Sequence, residues 1–144
     1  MARAIIELAP RRGSRYTIHV FMVHILLIED AEDIRGLFRT ILEQAGHAVR
    51  EASNGSEGIR LFHDMPSDVV ITDLYMPNGD GFDVMTALRH ALPPPKIIAI
   101  SEQSETGDML AAAKLLGADL VLSKPVTRGE LLHALGAVLG DNRP

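Results

Sequence analysis

The chain has 144 residues, 47% hydrophobic and 23% charged, which suits one soluble globular domain around one core. A formal net charge of −5 argues against nucleic acid as the main partner, and the lack of Trp argues against a base-stacking surface. The lack of cysteine excludes a disulfide framework and thiolate chemistry, and fits a reducing, cytoplasmic compartment.

The charge is uneven. Residues 1–22 carry Arg3, Arg11, Arg12 and Arg15 against Glu7, a balance of +3, so the rest of the chain carries −8. The apolar run from Tyr16 to Ile28 is not a signal peptide, because Glu29-Asp30 follow it in place of small residues. It holds His19 and His24 and falls short of the roughly 20 residues that span a membrane. Residues 1–22 are read as a tail, disordered or produced by a mis-assigned start, with Met22 as the alternative first residue. Residues 23–140 are read as the domain and 141–144 as a short tail, with no second domain to hold an output function.

Strand-like and helix-like patterns then alternate. His24 to Glu29 is the first strand of the domain. The helix after it runs to Ala45 with Ile34, Leu37, Phe38, Ile41 and Leu42 on one face, and stops at Gly46. His47 to Ala52 is the second strand. Asn54 with Glu57 forms a capping box for a helix that ends before Pro66. Asp68 to Asp73 is the third strand, and the third helix runs from Gly81 to His90 before Pro93-Pro94-Pro95, with Asp80 as its cap. Lys96 to Ser101 is the fourth strand. Thr106 to Leu116 is a helix ending at Gly117, Asp119 to Ser123 is the fifth strand, and Thr127 with Glu130 caps a helix that ends near Gly140. Five βα units with apolar strands predict an α/β fold with a parallel sheet covered on both faces.

In such sheets chemistry gathers at the carboxyl ends of the strands. Asp73 ends the third strand and is followed by Leu74-Tyr75-Met76-Pro77-Asn78-Gly79-Asp80-Gly81. Glu29-Asp30, Ser101 and Lys124 end three others. Adjacent carboxylates repel, so a hard divalent cation such as Mg2+ is the natural partner for Glu29 and Asp30 together with Asp73. The competing reading of Glu29, Asp30, Glu32 and Asp33 is a helix N-terminus stabilised by acids. A hydroxyl at Ser101 and an ammonium at Lys124 suit the oxygens of a phosphoryl group placed on Asp73. The six histidines, His19, His24, His47, His63, His90 and His133, have no ligand spacing.

These residues resemble the receiver domain of two-component response regulators. The matching pieces are Leu26-Leu27-Ile28-Glu29-Asp30, Asp73-Leu74-Tyr75-Met76-Pro77 with Asp80-Gly81, Ser101, Gly117-Ala118-Asp119 and Lys124-Pro125, and the match runs from Val23 to Leu139. The resemblance implies a flavodoxin-like (βα)5 three-layer sandwich with parallel sheet order 2-1-3-4-5. It implies that Asp73 accepts a phosphoryl group from a sensor histidine kinase or histidine phosphotransfer protein. Mg2+ would be held by Glu29, Asp30, Asp73 and the backbone carbonyl of Tyr75, and the phosphoryl oxygens by Ser101 and Lys124. A downstream protein, or a second copy in a homodimer, would read the face built by the fourth helix, fifth strand and fifth helix, which includes Leu110, Lys114, Leu120, Leu122, Leu131 and Leu135.

Two positions depart from the family pattern, and a third bears on the lifetime of the acyl phosphate. Val121 stands where the family commonly has an aromatic switch residue, Glu102 where a small residue is common, and Tyr75 is placed to shield an acyl phosphate from water. The chain is expected to turn over no outside substrate: a phosphatase of the haloacid dehalogenase type needs a second Asp at the position of Tyr75. A flavodoxin needs a phosphate-cradling loop where Glu29-Asp30-Ala31-Glu32-Asp33 stands. The remaining alternative is a receiver-like interaction module that is never phosphorylated.

Overall fold

The computed structural model describes residues 2–7, 17–76, 81–102 and 107–140, with side chains from Met22 onward except at positions 109 and 110. Within the expected N-terminal tail, β1 (Ala2–Glu7) and β2 (Thr17–Met22) pair antiparallel, with Ala2 opposite Met22 and Glu7 opposite Thr17. The β-branched and aromatic run Thr17-Ile18-His19-Val20-Phe21 has the composition of a strand.

The domain's sheet follows: β3 (His24–Ile28), β4 (Ala48–Ala52), β5 (Val69–Asp73), β6 (Lys96–Ser101) and β7 (Leu120–Ser123). All are parallel, in the order β4-β3-β5-β6-β7, which is the expected 2-1-3-4-5. The helices are α1 (Glu32–Gln44), α2 (Gly55–Asp64), α3 (Gly81–Leu88), α4 (Gly107–Leu115) and α5 (Arg128–Val138). The architecture is flavodoxin-like. Among the described residues, no helix is long and apolar enough to cross a membrane.

Strand alternation divides the core into two layers. Ile25, Leu27, Val69, Ile71, Ile98 and Ile100 face Phe38, Ile41 and Leu42 of α1 and Leu131, Ala134 and Leu135 of α5. Leu26, Ile28, Val70, Ile97 and Ala99 face Phe62 of α2, Val84, Met85 and Leu88 of α3, and Ala113 of α4. The inner strands β3, β5 and β6 are near-continuous apolar runs because both of their faces are covered, whereas the edge strand β4 carries Arg50 and Glu51. At Gly58 a Cβ would lie 2.3 Å from Ile28 Cδ1, so a larger residue would force the Ile28 side chain to move where α2 meets β3.

Polar side chains close the remaining ends. Asp68 accepts from His24 N and Asp119 from Ile97 N, holding the amino ends of β3 and β6, opposite the candidate site. Arg50 donates to the carbonyls of Leu61 and Met65 and to Ser67 Oγ, tying β4 to the end of α2. Thr127 and Glu130 form the expected capping box of α5. Asn54 caps α2, but the Glu57 carboxylate accepts from Ser53 N and Ser53 Oγ, one residue earlier than a capping box requires.

The packing corrects one expectation, and it divides the expected recognition face into core and exposed residues. Leu37 of α1, expected on its buried face, is 56% exposed. Leu131 and Leu135 are buried core and Leu120 and Leu122 pack against it, so of the expected recognition face Lys114 is the exposed side chain. The side chain of Leu110, and residues Asp80 and Thr106, lie outside the described residues.

Candidate functional site

Glu29 follows β3, Asp73 ends β5, Ser101 ends β6 and Lys124 follows β7, so the sheet order brings all four to one edge. Backbone bonds fix their heights: Glu29 N donates to Ala52 O, Leu74 N to Ile100 O and Lys124 N to Ser101 O. The first residue of α3, Gly81, lies against the end of β5. Gly81 N donates to Leu74 O at 3.0 Å. A Cβ on Gly81 would lie 2.1 Å from the Asp73 carbonyl oxygen, so only glycine can start α3 at that spot.

Lys124 Nζ is the centre of the arrangement. It lies 3.0 Å from Asp73 Oδ2, 3.4 Å from Glu29 Oε1 and 3.3 Å from Glu102 Oε1. The Lys124–Pro125 peptide bond is cis. Glu29 is 1% and Asp73 4% exposed, whereas Asp30 and Glu102 are exposed. Burial, and after it the adjacent Glu29 carboxylate, push the Asp73 pKa up to about 8 against the pull of Lys124. Burial alone would lower the pKa of Lys124. The hydrogen bond and charge of Asp73, with help from Glu29 and Glu102, hold it above its ordinary value instead.

One oxygen of each of Glu29, Asp30 and Asp73 lies within 4.8 Å of the others. Glu29 Oε2 is buried with no hydrogen-bond partner. A buried carboxylate oxygen without a donor is costly, and three oxygens so placed match the ligand preference of a hard divalent cation.

The structure therefore brings together Glu29, Asp30, Asp73 and Lys124. Ser101 stands at the same edge, 1% exposed, with its hydroxyl donating to Leu122 O at 3.4 Å and 3.5 Å from Ser123 Oγ. Tyr75 lies half-exposed just past Asp73. Asp80 of the expected loop is outside the described residues. Arg35 is a contributor that sequence reasoning missed. Its Nη1 donates to the Glu29 carbonyl at 2.9 Å and pins the turn that presents Glu29 and Asp30. A cation one turn into a helix whose first turn is acidic was the available signal.

Known proteins are similar to this chain. The family model of the response regulator receiver domain matches residues 25–136. The KDP operon transcriptional regulatory protein KdpE of Escherichia coli (strain K12) is 38% identical over 118 residues, covering 82% of this chain and 52% of that protein. The chemotaxis protein CheY of Halobacterium salinarum is 30% identical over 115 residues, covering 80% of this chain and 95% of that one. The chain thus spans about half the length of several relatives, KdpE among them, and nearly all of CheY. The solved structure of Vibrio cholerae chemotaxis protein CheY4 superposes with a TM-score of 0.76 at 28% identity, covering 82% of this chain and 99% of that one. Fold, strand-edge acids and relatives converge: the chain belongs to the response regulator receiver domain family of two-component phosphorelay signalling.

Proposed function

We propose that Asp73 is the phosphoacceptor of this receiver, with Lys124 and Ser101 as the side chains that bind the phosphoryl oxygens. The observation that carries this reading is the position of Asp73, buried at a strand end with Lys124 Nζ 3.0 Å from its Oδ2. Receiver domains take phosphoryl groups from histidine kinases or phosphotransfer proteins. In the step assigned here, an Asp73 carboxylate oxygen attacks the phosphorus of a phosphohistidine. The P–O bond to Asp73 forms as the P–N bond breaks, and the imidazole leaves with the electron pair and takes a proton from solvent. Lys124 offsets charge on the phosphoryl oxygens as it passes in line between donor and acceptor. The Ser101 hydroxyl gives up the Leu122 carbonyl and donates to a phosphoryl oxygen, which couples phosphorylation to β7.

Receiver domains bind Mg2+ at an acidic pocket, and the donor set here fits one. Glu29, Asp30, Asp73 and the Tyr75 carbonyl would hold it, and when bound it supplies positive charge beside the acceptor. The output is assigned to a protein partner or second copy at the face of α4, β7 and α5, in a cytoplasmic setting. The test is incubation with Mg2+ and acetyl phosphate followed by intact mass. Gain of one phosphoryl group by the protein, absent in Asp73→Ala, supports the reading. No gain, or gain in both, favours an interaction module that is never phosphorylated.

A further inference from the structure

Glu102 is not part of the acceptor machinery, yet its carboxylate lies 3.3 Å from Lys124 Nζ. It follows Ser101 directly and is 56% exposed at the side-chain level, so it stands at the rim, between solvent and the buried pair. Lys124 serves three carboxylates at once, Asp73, Glu29 and Glu102, with Asp30 close by. With all ionised, four carboxylates against one ammonium leave a formal −3 in this cluster, and one divalent cation reduces it to −1. The fourth carboxylate is the one that neither the acceptor chemistry nor the cation needs.

We infer that Glu102 is a specificity-determining residue of this site: its carboxylate occupies the Lys124 ammonium in the unphosphorylated protein and is displaced by an arriving phosphoryl group. This rests on the Asp73 reading above. A small anionic donor meets the rim charge unshielded and has to strip Lys124 from Glu102, so it loads slowly. A protein donor brings its own surface to the rim and can give the displaced carboxylate a new partner. Glu102 thereby selects against small acyl phosphates. It acts on Lys124 as a competitor and touches no reacting atom, so it is a positioning residue.

The experiment measures the rate of phosphorylation by acetyl phosphate with saturating Mg2+, by intact mass, for wild type, Glu102→Gln and Glu102→Asp. An exposed ion pair supports roughly a two- to fivefold faster rate for Glu102→Gln at low ionic strength. The difference closes near 1 M salt, where the screening length is about 3 Å. Glu102→Asp restores the charge and the slow rate. Melting temperatures that agree among the three show that folding is not the cause. Glu102→Gln loading no faster than wild type, or a gain that persists at high salt, overturns the inference while wild-type loading leaves the Asp73 reading standing. Failure of both wild type and Glu102→Gln to load removes the Asp73 reading, and this inference with it.

Discussion

Replacing Asp73 with Asn is expected to stabilise the metal-free protein at neutral pH. The side chain is 4% exposed and lies beside the buried Glu29 carboxylate. Its pKa rises from 3.8 to about 8 in the fold, through burial first and Glu29 second. Between those values the folded state keeps a proton that the unfolded state releases. The group's stabilising contribution is therefore complete below about pH 4 and is lost as pH climbs to 8. pH 7 lies about three pH units above the unfolded pKa of 3.8, and at about 1.4 kcal/mol per unit the ceiling is about 4 kcal/mol. Access to solvent at the rim reduces this to about 1–2 kcal/mol. Urea unfolding in chelator, from pH 4 to 8, checks it. The Asn variant is expected to match wild type near pH 4 and to exceed it increasingly towards pH 8. An Asn variant less stable than wild type at pH 8, or a difference that does not grow with pH, would refute the argument.

Mg2+ is expected to reverse that ranking, raising wild-type stability by about 2.7 kcal/mol at a hundredfold excess over its dissociation constant, with a smaller gain in Asp30→Asn; thermal melts against Mg2+ concentration measure both. Lys124→Met is expected to slow phosphorylation by acetyl phosphate about 100-fold or more, the usual loss on removing one preorganised donor, read by intact mass over time. Gly81→Ala sets a Cβ 2.1 Å from a backbone carbonyl oxygen that cannot swing aside, and chemical denaturation is expected to show a loss of about 1–3 kcal/mol. Thr127→Ala removes one half of the α5 capping box and is expected to cost about 1 kcal/mol in the same assay.

The sheet and the helices that cover it were legible because the inner strands are short apolar runs and each helix carries its own period or its own stop. The carboxyl-edge site was legible for the same reason: Glu29, Asp73, Ser101 and Lys124 mark where apolar runs end, and parallel topology sends all those ends one way. What depends on neighbours was not legible. Periodicity gives the centre of the apolar stripe on α1, but whether Leu37 or Leu42 is covered depends on where the sheet and α5 lie. The capping spacing at Asn54 and Glu57 is correct, yet the carboxylate has a second donor within reach at Ser53. The pairing of β1 with β2 is a long-range match between two runs, of which the sequence reading weighed only charge and processing signals. Likewise Glu102 was visible as an acid near the phosphate, while its direct contact with Lys124 depends on β6 and β7 being neighbours.

The most direct test of the account is to locate the phosphoryl group. Protein incubated with Mg2+ and acetyl phosphate would be reduced with borohydride, which converts an aspartyl phosphate to homoserine, and then digested and sequenced by mass spectrometry. Homoserine at position 73, absent when Mg2+ is chelated, is the predicted result. An unmodified Asp73, or homoserine at Asp30 or another carboxylate instead, would contradict it.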